Sequence, residues 1–248
     1  MKFVLALLLA GKLGKVLITG GTMLISVFAY ALIYGWRYAA GFVALLFVHE
    51  MGHFIAARQR GLEVGAPVFI PFVGAWVALK NADMDPETEA FIGLAGQMLG
   101  SAAAFACYLL ARENGERLWM AIADAGFFLN LFNLIPLTPL DGGRIVAVIS
   151  PKLWLIGVPV LGAVFLWKPS PLLLIIAVLA APQVWAALRG GKASGPVVTS
   201  AAVRLKYGVQ YLALAAGLAV LAFDAHSRLE PGFVSEVFDV MQADTGLG

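Results

Sequence analysis

Charge is scarce in this chain: 13% of its 248 residues are charged, 17 Lys and Arg against 15 Asp and Glu, while 61% are hydrophobic. An ordinary soluble domain holds roughly 45–50% apolar and about 25% charged residues. The composition therefore excludes a soluble globular protein and predicts an integral membrane protein. The formal net charge of +2 and the lack of any dense Lys/Arg run leave nothing to grip a phosphate backbone, so nucleic acid is excluded as a partner. Cysteine is nearly absent as well. Cys107 stands alone in the apolar run AAAFACYLL, which rules out an intramolecular disulfide and leaves it a small buried residue.

What the sequence has in abundance is apolar runs. About 20 residues span a bilayer, and runs of that kind lie at 16 to 36, 38 to 58, 91 to 111, 118 to 137, 153 to 167, 171 to 188 and 207 to 224. An all-α polytopic membrane protein with about six to seven transmembrane helices is expected. The start, MKFVLALLLAG, is followed by Lys12 and Lys15 without a small-residue cleavage pattern, so it reads as a retained membrane-surface or partly inserted segment.

Alternating the runs from a cytosolic N-terminus puts Lys2, Lys12, Lys15, Arg58, Arg60, Lys80, Arg144, Lys152, Arg189, Lys192, Arg204 and Lys206 on one side. Only Arg37, Arg112, Arg117, Lys168 and Arg228 fall on the other. Lys and Arg favour the cytosolic loops, which makes the first side cytosolic. Residues 62 to 80, LEVGAPVFIPFVGAWVALK, are apolar but carry Gly65, Pro67, Pro71 and Gly74, and so predict a re-entrant loop or a short β-hairpin rather than a span. Such backbone persists at membrane depth only where protein or a wet cavity satisfies it.

The connections 81 to 89, 111 to 117 and 190 to 200 are too short to hold a globular insertion. A single membrane-embedded domain over 1–248 is expected, with a core at about 15–165, accessory helices at 166–230 and a short tail at 231–248. The spacing of Phe233, Val237, Phe238, Val240 and Met241 suits a weak interfacial helix at the tail.

In the second run the sequence reads FVHEMGHF. Positions four apart share a helix face, so His49 and His53 can turn their imidazoles to one metal ion while Glu50 reaches a water beside it. Core histidines bonded to carbonyls are the competing reading, but three ionisable groups within a span are costly unless they are paired. Two histidines leave a catalytic zinc one protein ligand short. Asp141, in NLIPLTPLDGGR, is the best candidate, with Asp124, Asp83 and Asp85 competing on residue type alone. Pro136, Pro139, Gly142 and Gly143 break the helix there and permit a close backbone approach to a metal or substrate.

HEMGH and NLIPLTPLDGG together resemble the hallmark of the site-2 protease family of intramembrane zinc metalloproteases, and FIPFVGAWVALK is similar to that family's membrane-associated hairpin or loop. The likeness covers residues 15 to about 165. It implies one zinc ion held by His49, His53 and Asp141, with Glu50 as the catalytic base and Asn133 as a substrate-orienting or transition-state hydrogen-bonding residue. It further implies hydrolysis of peptide bonds in transmembrane protein substrates within or beside the lipid bilayer. The expected form is compact, without a PDZ or CBS domain. The expected location is the plasma or inner membrane, with the site toward the cytosol. FIGLAGQMLGS departs from the family, which usually has a proline where Gln97 stands.

Arg58 and Arg60 end the motif's span one to two turns beyond His53, which fits a site near the cytosolic end. His226 reads as an exposed loop histidine, and Trp36, Trp119, Trp154 and Trp167 read as interfacial anchors at span ends. Two other functions compete: a non-hydrolytic relative that binds membrane proteins, and a metal or ion transporter. The filled motif argues against the first. The convergence of the ionisable residues on one site, rather than along a path, argues against the second.

Overall fold

The computed structural model describes the backbone of residues 2–79, 84–189 and 199–229, and the side chains of 14–75, 84–189 and 199–229. The expected tail helix and Asp83 lie outside the described residues. Among the described residues eight α-helices follow in order: α1 (Lys2–Tyr34), α2 (Trp36–Gln59), α3 (Pro86–Asn114), α4 (Arg117–Asn133), α5 (Asp141–Ile149), α6 (Trp154–Trp167), α7 (Pro171–Leu188) and α8 (Ala201–Leu229). Between α2 and α3 lies a two-stranded antiparallel hairpin, β1 (Val64–Ile70) and β2 (Gly74–Leu79). The protein is an all-α polytopic membrane protein with a small hairpin, and Gly14–Tyr34, α2, α3, α7 and α8 are each long and apolar enough to cross a bilayer.

Local chemistry sets the ends of these helices. Asp85 caps α3, its carboxylate accepting from the Thr88 amide at 3.0 Å, with Pro86 in the first turn, where its missing N–H costs nothing. Gly115, at φ 70°, ends the same helix in the left-handed conformation that its missing Cβ permits. Ser170 and Pro171 begin α7 in the same manner as Asp85 and Pro86. The fourth apolar run stops being helical at Asn133, four residues earlier than expected, because Pro136 and Pro139 withhold the amides a helix needs.

The hairpin, one of the two forms expected at 62–80, lies against α1. Thr19 donates from its hydroxyl to the Pro67 carbonyl at 2.8 Å, and the Phe69 amide donates to Thr22 Oγ1 at 3.2 Å. One edge of β1 is thereby satisfied by α1. Pro67 shares that outward orientation, where a strand tolerates a residue with no N–H.

Two clusters of polar contacts mark opposite ends of the bundle. At one, Arg60 stacks 4.4 Å from the Phe91 ring and the Tyr207 hydroxyl donates to the Glu87 carbonyl at 3.4 Å, gathering the end of α2 and the starts of α3 and α8. At the other, Arg117 donates to the Leu229 carbonyl at 3.0 Å and the Tyr108 hydroxyl to Asp224 at 2.5 Å. The core between them runs through Leu94, Ala104, Phe127, Ile145 and Tyr207. Trp154, expected at an interface, belongs instead to a second core cluster, with its indole N–H donating to the Gly143 carbonyl at 2.9 Å. Trp36 and Trp167 are exposed, as anchors require.

Candidate metal centre

Helix α2 carries His49, Glu50 and His53, and the helix period brings their ligand atoms within 4.8 Å of one another. Asp141 joins them from the first turn of α5, a nine-residue helix that the apolar-run count does not reveal. A carboxylate is favoured there by the positive end of the helix dipole. The placement also depends on Gly142, where a Cβ would stand 2.2 Å from the Leu134 carbonyl oxygen. The glycine brings α5 onto its own preceding loop, so the close approach is to backbone.

The three polar tips converge. His49 Nε2 lies 3.0 Å from His53 Nε2 and 3.1 Å from Asp141 Oδ2, and His53 Nε2 lies 3.2 Å from the same oxygen. Nitrogen and oxygen ligands bound tetrahedrally to zinc at about 2.0–2.1 Å stand roughly 3.3–3.4 Å apart. The triangle needs to open by only a few tenths of an ångström to accept the ion, and the donor set of two imidazoles and one carboxylate suits it. His49 is 3% exposed, Glu50 7%, His53 8% and Asp141 7%. Burial of that many ionisable groups without a counter-charge is strongly unfavourable, and a bound cation removes the penalty.

Both imidazoles are oriented from behind. His53 Nδ1 lies 2.9 Å from the Ile92 carbonyl, which can only accept, so Nδ1 carries the hydrogen and Nε2 keeps its lone pair. His49 Nδ1 lies 3.0 Å from Asn130 Oδ1, and Asn130 Nδ2 donates to the Gly126 carbonyl at 2.8 Å. That second bond fixes the amide so that its oxygen faces His49. The result is again an Nδ1–H donor and a free Nε2, the state a metal ligand requires. Gln97, fully buried on α3, donates from Nε2 to Asp141 Oδ2 at 3.1 Å.

The other candidates stand elsewhere. Asp124 faces His226 Nδ1 at 3.4 Å, and the imidazole of His226 is 63% exposed, on the continuation of α8 rather than in a loop. Asp85 is a helix cap. Asn133, the last residue of α4, is half-buried and makes no hydrogen bond to the cluster among the described residues. The asparagine that touches it is Asn130, one turn earlier. Sequence reasoning missed Asn130 and gave Gln97 no role at the site. Both are buried amides in otherwise apolar spans, and that scarcity is the signal that could have found them.

Residues 37–115 match peptidase family M50. The matched segment includes His49, Glu50, His53 and Gln97 and ends before Asn130 and Asp141. Over 117 residues the chain is 32% identical to zinc metalloprotease MJ0392 of Methanocaldococcus jannaschii, covering 44% of this chain and 34% of that protein. It is 30% identical over 129 residues to the Rip3 protein of Mycobacterium tuberculosis, covering 47% and 33% respectively. The chain spans about a third of the length of these curated relatives. Among solved structures, the site-2 protease from Methanocaldococcus jannaschii matches with a TM-score of 0.44 and 20% identity, over 72% of this chain and 90% of that one.

Proposed function

We propose that this protein, whose residues 37–115 match peptidase family M50, is an intramembrane zinc metalloendopeptidase of the site-2 protease type, acting on membrane-protein substrates within or beside the bilayer. The observation that carries the reading is the convergence of His49 Nε2, His53 Nε2 and Asp141 Oδ2 within 3.0–3.2 Å of one another, with Glu50 beside them, inside a bundle of membrane-spanning helices.

His49, His53 and Asp141 hold the metal in this proposal. Zinc held there would supply Lewis-acid activation of a water and of the scissile carbonyl. Glu50 takes the proton from that water and later delivers it to the departing amine. Asn130 and the Ile92 carbonyl keep both imidazoles turned toward the ion. Asn133, at the mouth of the loop that leads to Asp141, is assigned a hydrogen bond to the substrate backbone.

A transmembrane helix hides its carbonyls in its own hydrogen bonds, so the peptide must be extended before it can be cut. The hairpin offers one edge for this. Phe69 faces Ala75 across the sheet, and the Phe69 amide points away to Thr22, so this is a pair whose backbone groups turn outward. Ala75 therefore presents its N–H and C=O on the outer side of β2, where an extended peptide can add as a strand. The opposite edge is already taken by α1.

The six steps of helix from His53 to Gln59 rise about 9 Å, and the end they lead to is the one that gathers Arg58, Arg60, Arg144, Arg204 and Lys206. Lys and Arg enrichment identifies a cytosolic face. That enrichment supports cleavage toward the cytosolic side of the substrate, and the membrane proposed is a plasma or inner membrane. A single domain with a core at about 15–165 is the arrangement proposed for the chain.

The test compares new N-termini of membrane proteins in cells expressing the wild type and cells expressing Glu50→Gln. Fragments cut in or beside a hydrophobic span are expected only with the wild type, since loss of a general base slows hydrolysis by about 10²–10⁴-fold. Identical profiles from two expressed, zinc-loaded proteins would favour a membrane-protein-binding role instead.

A further inference from the structure

Helix α3 meets the metal centre along one stripe, Gly93, Gly96, Gln97 and Gly100, spaced so that all four share a face. A Cβ on Gly96 would come within 2.2–2.6 Å of three ring atoms of His53. One on Gly100 would come within 2.6 Å of Asn130 Oδ1 and 2.8 Å of His49 Nδ1. The glycines leave the stripe bare so that both imidazoles lie against the helix backbone.

Gln97 carries the one side chain longer than hydrogen on this face, and it is polar and 0% exposed. Its Nε2 donates at 3.1 Å to Asp141 Oδ2, the oxygen that also lies 3.1 and 3.2 Å from the two histidine Nε2 atoms. Its Oε1 is buried and has no hydrogen-bond partner among the described residues. A residue placed here for packing alone would be apolar, because methionine or leucine fills a similar volume without an orphaned acceptor. An unsatisfied buried amide is tolerated where it serves a site.

Resting on the zinc reading above, we infer that Gln97 is a positioning residue of the metal centre, whose Nε2–H holds Asp141 Oδ2 in the orientation that binds the ion. Without that bond the Asp141 side chain is free to rotate away from the two imidazoles. The residue acts through Asp141.

The experiment measures zinc affinity by competition with a chelator, together with thermal melting of the zinc-free protein. It uses the full chain in detergent as wild type, Gln97→Met, Gln97→Leu, Asp141→Ala and the Gln97→Met/Asp141→Ala double variant. Loss of a hydrogen bond behind a metal ligand weakens binding by about 10- to 100-fold, and that is the loss expected for Gln97→Met and Gln97→Leu. Their zinc-free forms are expected to stay folded, loss of the hydrogen bond to Asp141 being offset in part by removal of the orphaned acceptor. In the Asp141→Ala background the second substitution is expected to change affinity little, since no carboxylate remains to be held.

Wild type that binds zinc alongside Gln97 variants that bind it equally well would overturn the inference alone. So would equal losses in both backgrounds, or collapse of the zinc-free fold in both single variants, each of which marks a packing role. Wild type that takes up no zinc would overturn the zinc reading and this inference with it.

Discussion

The orientation of each imidazole in this cluster is set by a neighbour behind it. His53 is set by a carbonyl of α3 and His49 by the Asn130 amide, itself fixed by Gly126. Asn130→Leu keeps the number and branching of the side-chain heavy atoms and removes the acceptor, freeing His49 to turn or to move its proton to Nε2. Zinc affinity is expected to fall about 10- to 100-fold in a chelator competition, with the helical signal in circular dichroism unchanged. Unaltered affinity would show that packing alone orients His49.

At the scale of elements, the hairpin and the start of α3 make separate contributions. Ala75→Pro removes the outward amide of β2 at an edge position, where proline is tolerated. Cleavage of a membrane-protein substrate is expected to drop at least tenfold while zinc content stays at the wild-type level, and full activity would remove the strand-addition step. Asp85 contributes differently, by capping α3. Hydrogen bonds from Thr88, its side chain first, outweigh slight burial and hold the Asp85 carboxyl below its ordinary 3.8. Because the folded-state pKa is the lower one, the cap's stabilisation is fully present above the unfolded value and is lost as pH falls through the folded value. Asp85→Ala is therefore expected to cost about 0.5–2 kcal/mol at neutral pH. Thermal melts of the two proteins should differ at pH 7 and converge in acid.

At the scale of the molecule, the two polar ends of the bundle carry opposite assignments. Arg60 and Tyr207 mark the end near the centre, and Arg117 and Arg228 the far one. Single cysteines in a Cys107→Ala background, at Arg60 and at Arg228, are expected to react with a membrane-impermeant thiol reagent from opposite sides. The Arg228 position should label in intact cells and the Arg60 position only after lysis. The reverse pattern would move the site to the other face. The outward surface of the bundle is apolar at Phe28, Leu166, Val178, Leu212 and Phe223, each exposed as lipid contact demands.

Periodicity and composition reached far in this protein. A shortage of charge marks a membrane protein, prolines and glycines mark the hairpin, and HEMGH marks a ligand face, because each depends on neighbours within one or two turns of chain. Asp141 stands out in the sequence as the best of four candidate aspartates, by its motif and the family resemblance, but only the fold brings its oxygen to the histidines. The same limit explains Asn130, Gln97 and the Ile92 carbonyl, which lie 81, 44 and 39 positions from their partners. It explains Trp154 as well, buried by packing where its place at a span end suggested an interface. Local pattern records which way a side chain faces on its own helix. Which helix it then meets depends on glycine stripes, loop closure and the packing of distant segments, and those are properties of the folded bundle alone.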